Sequence, residues 1–476
     1  MSRSRAPRSV RVVIAGGGAS GTLLAAELLR QPVPVEVTLV EPRAHLGRGV
    51  AYSTAHSAHL LNVRASRMSG NADDPDHFLR WLRREDPSAH GGTFAPRVLY
   101  GRYLAALLDE ARAAAAAGSS FSHRRERVAA VEAAASGLRV GLTEGAWTAA
   151  DAFVLAVGNL PPAGVPLLPT GGADPKRFVV DPWAPQAFDG IAADEPVLLI
   201  GTGLTAVDVA LTLRDRGHRG GILATSRRGL LAKTQAAVQP PLVLPVAGAR
   251  TATTAGAFLP QRPAARRNVR SLTRAVRAEA RRLAAAGGDW HPLFEALRPI
   301  TPALWSNLAA GERQRFLRHL QPYWDVHRHR MAPEVAAQIQ AMIAAGAFEV
   351  RAGRIRAWGP HPRGIRVTLA PRGTATTEEH IVGAVVTCTG PGALAASRHP
   401  LLRSLISHGL VRPDALGLGL DARPDGALLS ADGSVARGLY AIGPLLRGTL
   451  WETTAVPEIR GQAKALAGVL TAGVRS

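Results

Sequence analysis

The chain has 476 residues, 46% of them hydrophobic, and a formal net charge of +21. This length and composition predict a globular protein of two or three domains with a substantial core. No apolar run approaches the roughly 18 residues that a membrane span requires. The basic start MSRSRAPRS runs straight into strand and glycine patterns, so we expect no secretion signal and a cytoplasmic protein.

Cysteine and charge exclude further classes. The single cysteine, Cys388, excludes an intramolecular disulfide and a redox-active cysteine pair, and with them disulfide-reductase flavoproteins, iron–sulfur clusters and cysteine-ligated zinc. The positive charge is mostly arginine interleaved with alanine, without a nucleic-acid-binding motif and with only 5% aromatic residues. We therefore expect no nucleic-acid partner, but a surface that favours small anions.

The first predicted unit is strand, glycine turn and helix, with the turn GGGASG at residues 16–21. Gly16, Gly18 and Gly21 have the GxGxxG spacing, in which the glycines permit a tight turn, close approach of a pyrophosphate and strand–helix packing. The phosphates would lie on the free N–H groups at the helix start, around Ser20. The next strand ends at Glu41, about 20 positions on, where a carboxylate can bind ribose hydroxyls.

A long irregular loop follows at residues 47–71, rich in Gly, Ser, Asn and His. Loops of this length inside a compact domain are usually functional. His59 and Asn62 in this loop could contact a flavin or make ordinary loop hydrogen bonds. Helices are predicted at residues 76–84 and 101–117, before short β segments that lead to DAFVLAVGN at residue 151.

The second unit repeats the first from residue 195, with Gly201, Gly203 and Ala206 at the three turn positions. Its next strand ends in Ser226, Arg227 and Arg228 where the first unit has a carboxylate. Because a guanidinium pairs with the 2′-phosphate of NADP and a carboxylate repels it, we favour NADPH over NADH here. The alternative is that these arginines only reflect an arginine-rich composition.

Two dinucleotide units predict two dinucleotides, a tightly held FAD in the first and a visiting NAD(P)H in the second. Apolar positions at helical spacing predict a helical insertion at about residues 262–345, after which β patterns return. The predicted fold class is α/β, with two Rossmann-like domains and this insertion. The predicted domains are an FAD-binding part at 1–185, an NAD(P)H-binding part with the insertion at 186–345, and a return to the FAD-binding domain at 346–476.

The chain resembles flavoproteins with two dinucleotide-binding domains, and more narrowly a family that includes an FAD-dependent urate hydroxylase and a nitrosuccinate-forming aspartate N-oxygenase. The segments that carry the resemblance include GGGASG, GRGVAYST, HLLNVRASRMS, FAPRVLYGRYL, GTGLTAVD, SRRGLL, RFLRHLQPYWDVHRHRMAP and LYAIGPLLRGTLWETTAVPEIRGQA. They extend over nearly the whole chain and are specific as a set.

The resemblance implies roles for several residues outside the glycine turns. Gly158 and Gly390 would lie at strand-to-loop junctions beside the dinucleotides. The closing segment with Thr453, Thr454 and Ala455 would direct a helix N-terminus toward the flavin. Many relatives in the wider superfamily have Gly-Asp where this chain has Gly443 and a proline, which leaves open what replaces the aspartate that contacts ribitol.

Reduced flavin passes electrons to a partner or reacts with oxygen, and without a cysteine pair we favour oxygen chemistry, which requires a site closed to water. The loop at residues 47–71 and the helical insertion could form the lid. In WDVHRHR, the arginines Arg328 and Arg330 could bind an anion, and the histidines His327 and His329 could assist proton transfer. Histidines two positions apart do not share a helix face, so no metal site is expected. A solvated basic helix end is the alternative.

The resulting prediction is an FAD-dependent monooxygenase that uses NAD(P)H and O2 on a small, nitrogen-rich anion. The resemblance supplies urate, giving 5-hydroxyisourate in purine degradation, as the first candidate. The alternatives are an amino-acid N-hydroxylase on the same scaffold and a non-catalytic nucleotide-binding protein. The sequence predicts no oligomeric state.

Overall fold

The computed structural model describes residues 9–162, 175–236, 242 and 268–472. Two β-sheets, a three-stranded meander and a helical subdomain make up this part of the chain. Within the described ranges, no helix is both long and apolar enough to cross a membrane.

The first sheet has six strands in the order β15-β16-β7-β1-β2-β3 and is parallel except for its edge strand β15. The strands are β1 (Val10–Ala15), β2 (Val35–Val40), β3 (Ser120–Arg124), β7 (Ala152–Leu155), β15 (Ala427–Leu429) and β16 (Val435–Ala441). Nearly continuous Val, Leu and Ile in β1 and β7 match burial on both faces of a parallel sheet. On one face pack the helices α1 (Ala19–Leu29), α2 (His77–Glu85), α3 (Arg97–Ala113) and α13 (Val456–Thr471).

The other face of the first sheet is covered by an antiparallel meander of β4 (Val128–Ala134), β5 (Gly137–Leu142) and β6 (Trp147–Ala150). The helix α11 (Pro400–Ser407) packs beside it. Two covered faces make this sheet the interior of the first domain.

The second sheet has seven strands in the order β13-β12-β11-β10-β9-β14-β8. They are β8 (Phe178–Val179), β9 (Val197–Ile200), β10 (Ile222–Ser226), β11 (Phe348–His361), β12 (Gly364–Pro371), β13 (Glu378–Val382) and β14 (Ala384–Thr387). Strands β8 to β11 and β14 are mutually parallel, and β12 and β13 extend the edge antiparallel. The helices α4 (Leu204–Asp215) and α10 (Pro333–Ala344) pack on one face.

The helical subdomain lies between β10 and α10 in the chain. Its helices are α5 (Val269–Ala285), α6 (His291–Leu297), α7 (Thr301–Ser306), α8 (Ala310–His319) and α9 (Gln321–Arg328). A short helix α12 (Arg447–Leu450) before the final helix packs against α7. The subdomain therefore contacts the closing segment of the chain.

The predicted fold class, α/β with two Rossmann-like units and a helical insertion, is confirmed. Two of the predicted boundaries are wrong. Strands β11 to β14 belong to the second sheet, so the return to the first domain comes after Thr387 and not at residue 346. Strand β8 already lies in the second sheet, before the predicted boundary at residue 185.

The end of the helical insertion also differs from the prediction. The helix α10 packs on the second sheet through Val335, Ala336 and Ile339, so it is the crossover into β11 and not part of the insertion. Residues 262–267 of the predicted insertion lie outside the described residues. Hydrophobic periodicity identifies a helix but not the surface against which its apolar side packs.

Candidate functional site

The first glycine turn connects β1 to α1. Gly16 has φ of +108°, and a Cβ atom there would lie 2.5 Å from the carbonyl oxygen of Ala156. A Cβ on Gly21 would lie 1.9 Å from the oxygen of Gly16, and one on Gly18 would lie 3.3 Å from the Cα of Gly49. Only glycine fits at the first and third positions, and the second is covered by the loop that follows β2.

Polar groups around this turn suit a dinucleotide. Glu41 is 8% exposed and accepts a hydrogen bond from the N–H of Gly17 at 3.0 Å. The helix α1 begins after Gly18 without a side-chain cap, so its first N–H groups are available to phosphate. A Cβ on Gly443 would lie 2.5 Å from Oγ of Ser20, which brings the closing segment against this helix start. The cradle fits a tightly held dinucleotide.

The second glycine turn connects β9 to α4 and repeats the geometry. Gly201 has φ of +119°, and a Cβ there would lie 2.2 Å from the carbonyl oxygen of Cys388. Ala206 is fully buried in the helix, whereas a Cβ on Gly203 would meet nothing within 4 Å. The helix α4 also starts without a side-chain cap. The second turn therefore has the geometry of a phosphate-binding turn, and no other protein atoms cover the space next to Gly203.

The two arginines after β10 are not equivalent. Arg227 is exposed. The guanidinium of Arg228 donates to Oη of Tyr323 at 3.0 Å and to the carbonyl of His319 at 3.2 Å, and it lies 4.8 Å from the Tyr323 ring centroid. Ser226 bonds to Thr202 and accepts from Gly229. Arg227 is thus the arginine free to meet a ligand, and Arg228 contacts the helical subdomain.

A cavity of about 380 Å³ lies between the two domains. Apolar walls come from the loop after β2, from residues 160–162 and from Trp183. Predicted site residues Asn62, Gly390 and Thr454 line it, and so do Leu204 and Thr205 at the start of α4. The start of α4, after the second glycine turn, therefore meets the loop after β2 at one cavity, where a flavin and a nicotinamide could come together.

Gly158 and Gly390 have φ of +73° and +79°, and a Cβ on either would meet nothing within 4 Å.

Side-chain hydrogen bonds position the closing segment of the chain. Thr453 is fully buried and donates to the carbonyl of Gly443 at 3.0 Å, so its hydroxyl does not face the cavity. The amide of Gln462 accepts from the Gly443 N–H at 3.1 Å and donates to Thr453 at 2.7 Å. Gln462, which the sequence analysis missed, holds the position where relatives have Gly-Asp.

A buried ion pair joins the domains at the cavity wall. Arg97, at the start of α3, donates to both oxygens of Asp208 on α4 at 2.7 and 3.1 Å. His59 hydrogen-bonds to Thr54 through Nδ1 and to Thr212 through Nε2, at 2.7 and 2.9 Å. Burial lowers the pKa of His59. His59 thus makes a hydrogen bond within its loop, as one of the two alternatives predicted, and also belongs to the interdomain contact.

The two arginines of the WDVHRHR segment are both paired with carboxylates. Arg328 donates to Glu452 at 2.8 Å, with both side chains 6% exposed, and Arg330 is paired with Glu295. His327 donates from Nδ1 to the Tyr323 carbonyl at 2.7 Å and lines a second, apolar cavity. Each arginine thus has a carboxylate partner distant in sequence, and Arg330 shares its partner Glu295 with Arg67. Their predicted role in anion binding stays a prediction.

His329 is the member of this segment that reaches the interdomain cavity. Burial lowers its pKa to about 3, and the neighbouring Arg328 and Arg447 act in the same direction. Its side chain is still 38% exposed, and Nε2 lies 4.0 Å from Oδ1 of Asp325. With the lowered pKa, the imidazole is neutral near pH 7 and can accept a hydrogen bond. Among the residues that the structure describes, no cluster of three or more His, Cys, Asp or Glu could hold a metal.

The second cavity, of about 470 Å³, lies within the helical subdomain. Its walls are mainly aromatic and aliphatic and include Trp290, Phe294, Trp324 and Trp451. It shares no lining residue with the interdomain cavity.

Comparison with known proteins matches this architecture. The sequence profile of a family described as FAD-NAD(P)-binding matches residues 13–160. No curated protein sequence matches the chain.

Solved structures match over nearly the whole length. An ornithine hydroxylase from Pseudomonas aeruginosa is 17% identical with a TM-score of 0.62, over 97% of this chain and 99% of that one. An ornithine N-hydroxylase from a Kutzneria species is 13% identical with a TM-score of 0.63, over 99% and 100%. A cadaverine monooxygenase from Erwinia amylovora, solved with FAD, is 11% identical with a TM-score of 0.62, over 98% and 95%.

At these identities the structural likeness shows a shared fold. The profile match agrees, over residues 13–160, with the predicted FAD/NAD(P)-binding flavoprotein family and with FAD and NAD(P)H as the predicted cofactors. Nothing in the comparisons points to urate.

Proposed function

We propose that the chain is an FAD-dependent monooxygenase that uses NADPH and O2 to hydroxylate the amine nitrogen of a small amino acid or diamine. The proposal takes up the second of the predicted activities. An ornithine N-hydroxylase and a cadaverine monooxygenase share the fold over 100% and 95% of their chains. When bound, FAD would accept hydride from NADPH and activate oxygen; binding, orientation and exclusion of water fall to the protein.

The observation that carries the proposal is the charge of the interdomain cavity. The charged groups among its described lining residues are Arg97, Asp181 and Asp208, because His329 is neutral. The Arg97 guanidinium is paired with both oxygens of Asp208. Asp181, an exposed residue whose carboxylate accepts from the N–H of Trp183 at 3.0 Å, therefore adds one solvent-screened negative charge to the lining, which favours an ammonium group over an anion.

The neutral imidazole of His329 suits an amine in a second way. With a pKa of about 3, it accepts a hydrogen bond from an amine N–H without adding positive charge to the cavity. The side chains of Tyr52, Met68 and Trp183 add apolar surface to the same lining. Together these residues would hold an amine close to the cofactors.

Urate, the first candidate from the sequence, finds less support. It is an anion, and the guanidinium of Arg97 in the cavity wall is already paired with Asp208. The predicted anion-binding residues Arg328 and Arg330 are paired as well.

The test is product formation by the purified protein. We expect yellow protein whose NADPH oxidation is stimulated by at least one of ornithine, lysine, cadaverine or aspartate, with a product that carries one added oxygen on nitrogen by mass spectrometry. Stimulation and consumption of urate alone would refute N-hydroxylation while leaving the cofactors in place. Colourless protein that takes up no flavin would refute both.

A variant tests the charge argument. Asp181→Asn removes the uncompensated carboxylate and should raise KM for a cationic amine by about five-fold, the range of an exposed charge contact. KM for NADPH should stay the same. Asp189→Asn, at an exposed aspartate outside the cavity lining, is the control and should change neither constant.

A further inference from the structure

Trp451 has an unusual backbone conformation next to the closing segment. Its φ is +61° and its ψ is −63°, and the N–H of Glu452 donates to the carbonyl of Leu450 at 2.8 Å. This is a γ-turn with a positive central φ, a rare and strained conformation for a bulky residue. Such a residue keeps its conformation only where its surroundings hold it.

The helical subdomain holds the Trp451 ring. Trp305 of α7 stacks on it with centroids 4.7 Å apart, and Phe316 of α8 meets it edge-on at 5.2 Å. Trp305 also donates from Nε1 to the carbonyl of Gly448 at 2.8 Å. The indole is 5% exposed, so the strained turn is packed on the subdomain.

Arg328 of the same subdomain contacts carboxylate side chains that follow the turn. Its Nε and Nη2 donate to Oε2 of Glu452 at 3.1 and 2.8 Å, and Nη2 lies 3.6 Å from Oε1 of Glu458. Arg298 binds Glu458 from the other side. One buried guanidinium therefore reaches carboxylates before and within the first turn of α13.

The segment between the strained turn and α13 forms part of the lining of the interdomain cavity. Thr454, Ala455 and Val456 line it. Ala455 precedes α13 without a side-chain cap, so no cap side chain accepts from the first N–H groups of that helix. The first turn contains one carboxylate, Glu458, which is paired with Arg298.

We propose that Arg328 is a positioning residue, through which the helical subdomain fixes the strained turn at Trp451 and thereby aims the start of α13 at the flavin. The inference rests on FAD as the resident cofactor of the proposed function, but not on the substrate. Displacing a preorganised helix terminus by a fraction of an ångström is enough to change how it stabilises charge on a bound group.

The test uses holoenzyme of Arg328→Lys, which keeps the charge but loses the two-pronged contact with Glu452. We expect about ten-fold faster release of FAD on dilution, followed by flavin fluorescence. We also expect an altered visible circular dichroism spectrum of the bound flavin. Arg282→Lys is the matched control, because Arg282 pairs with Glu279 on the exposed face of α5; it should behave as the wild type.

A second comparison separates positioning from stability. Arg328→Met should lower the melting temperature, because it leaves the Glu452 carboxylate buried without a partner. The double variant Arg328→Met/Glu452→Leu should recover the melting temperature but not the wild-type flavin spectrum or FAD release. Recovery of all three in the double variant, or wild-type flavin behaviour in Arg328→Lys, would overturn the proposal. Wild-type protein that binds no flavin would instead refute the proposed function.

Discussion

The two glycine turns have the same backbone constraint and different surroundings. In both, a Cβ on the first glycine would strike a carbonyl oxygen from the neighbouring strand, at 2.5 Å in the first unit and 2.2 Å in the second. In the first, the loop at Gly49 and the closing segment at Gly443 cover the helix start, whereas the second glycine of the other turn faces open space. The chain thus builds one enclosed and one accessible dinucleotide cradle, which suits a resident cofactor and an exchanging one.

The largest expected effect comes from blocking the enclosed cradle. Gly18→Val places a branched side chain where a Cβ already lies 3.3 Å from Gly49, so we expect protein without bound FAD. The flavin absorbance of purified protein measures this. Gly461→Ala, in α13 with nothing within 4 Å of its Cβ, is the control and should keep the flavin.

Breaking the ion pair between the two units should have the next largest effect. Arg97→Met leaves Asp208 buried without its partner and should lower the free energy of unfolding by about 3 kcal/mol. The double variant Arg97→Met/Asp208→Leu should recover much of that loss. Urea unfolding measures both, and an equal loss in the double variant would show that the pair is not the main contact.

Blocking the accessible cradle should leave the flavin in place. A Cβ on Gly203 meets no protein atom within 4 Å, so Gly203→Val should fold and bind FAD but raise KM for NADPH about ten-fold, by filling the phosphate approach. If NADPH kinetics do not change, the second turn does not bind the dinucleotide.

The two arginines after β10 sharpen the comparison with Glu41. Arg227 is exposed and Arg228 is engaged by Tyr323 and His319. Arg227→Ala should reduce the preference for NADPH over NADH by about ten-fold, the size of one phosphate contact. Arg228→Ala should have a smaller effect on that ratio. The ratio of kcat/KM for the two cofactors measures it, and the reverse ranking would contradict the structure.

The smallest expected effect is a pH dependence at the contact between the units. Burial lowers the pKa of His59, so the unfolded chain, whose histidines titrate near about pH 6.5, binds more protons just below that pH. The free energy of unfolding should therefore fall as pH drops below about 6.5, by at most about 1.4 kcal/mol per pH unit for this histidine. His59→Gln should flatten the slope between pH 5 and 7 in urea unfolding. His45→Gln, at an exposed histidine, should not.

The sequence predicted those features that depend on residues close together in the chain. The glycine turns, the acidic residue after β2 and the arginines after β10 are defined by spacing within single βαβ units, so the fold class followed from them. Sheet membership did not, because β11 to β14 have the same alternating pattern whichever sheet they join. The boundary placed at residue 346 failed for that reason.

The candidate site depends on contacts that spacing does not encode. Arg328 meets Glu452 across 124 residues and Arg97 meets Asp208 across 111. From its neighbours in sequence, Arg328 is predicted to bind an anion. In the fold its guanidinium is paired with Glu452. Gln462 gave no signal at all, because a glutamine within an amphipathic helix looks like a surface residue until Gly443 is placed beside it.

Cys388 supplies the carbonyl that restricts Gly201, and its thiol is 4% exposed with a pKa raised by burial. The only native sulfhydryl in the chain is thus shielded from alkylating reagents. Engineered surface cysteines, one on each sheet-bearing domain, would react with spectroscopic labels, whereas Cys388 would not. The distance between the domains could then be followed in solution as coenzymes bind and leave.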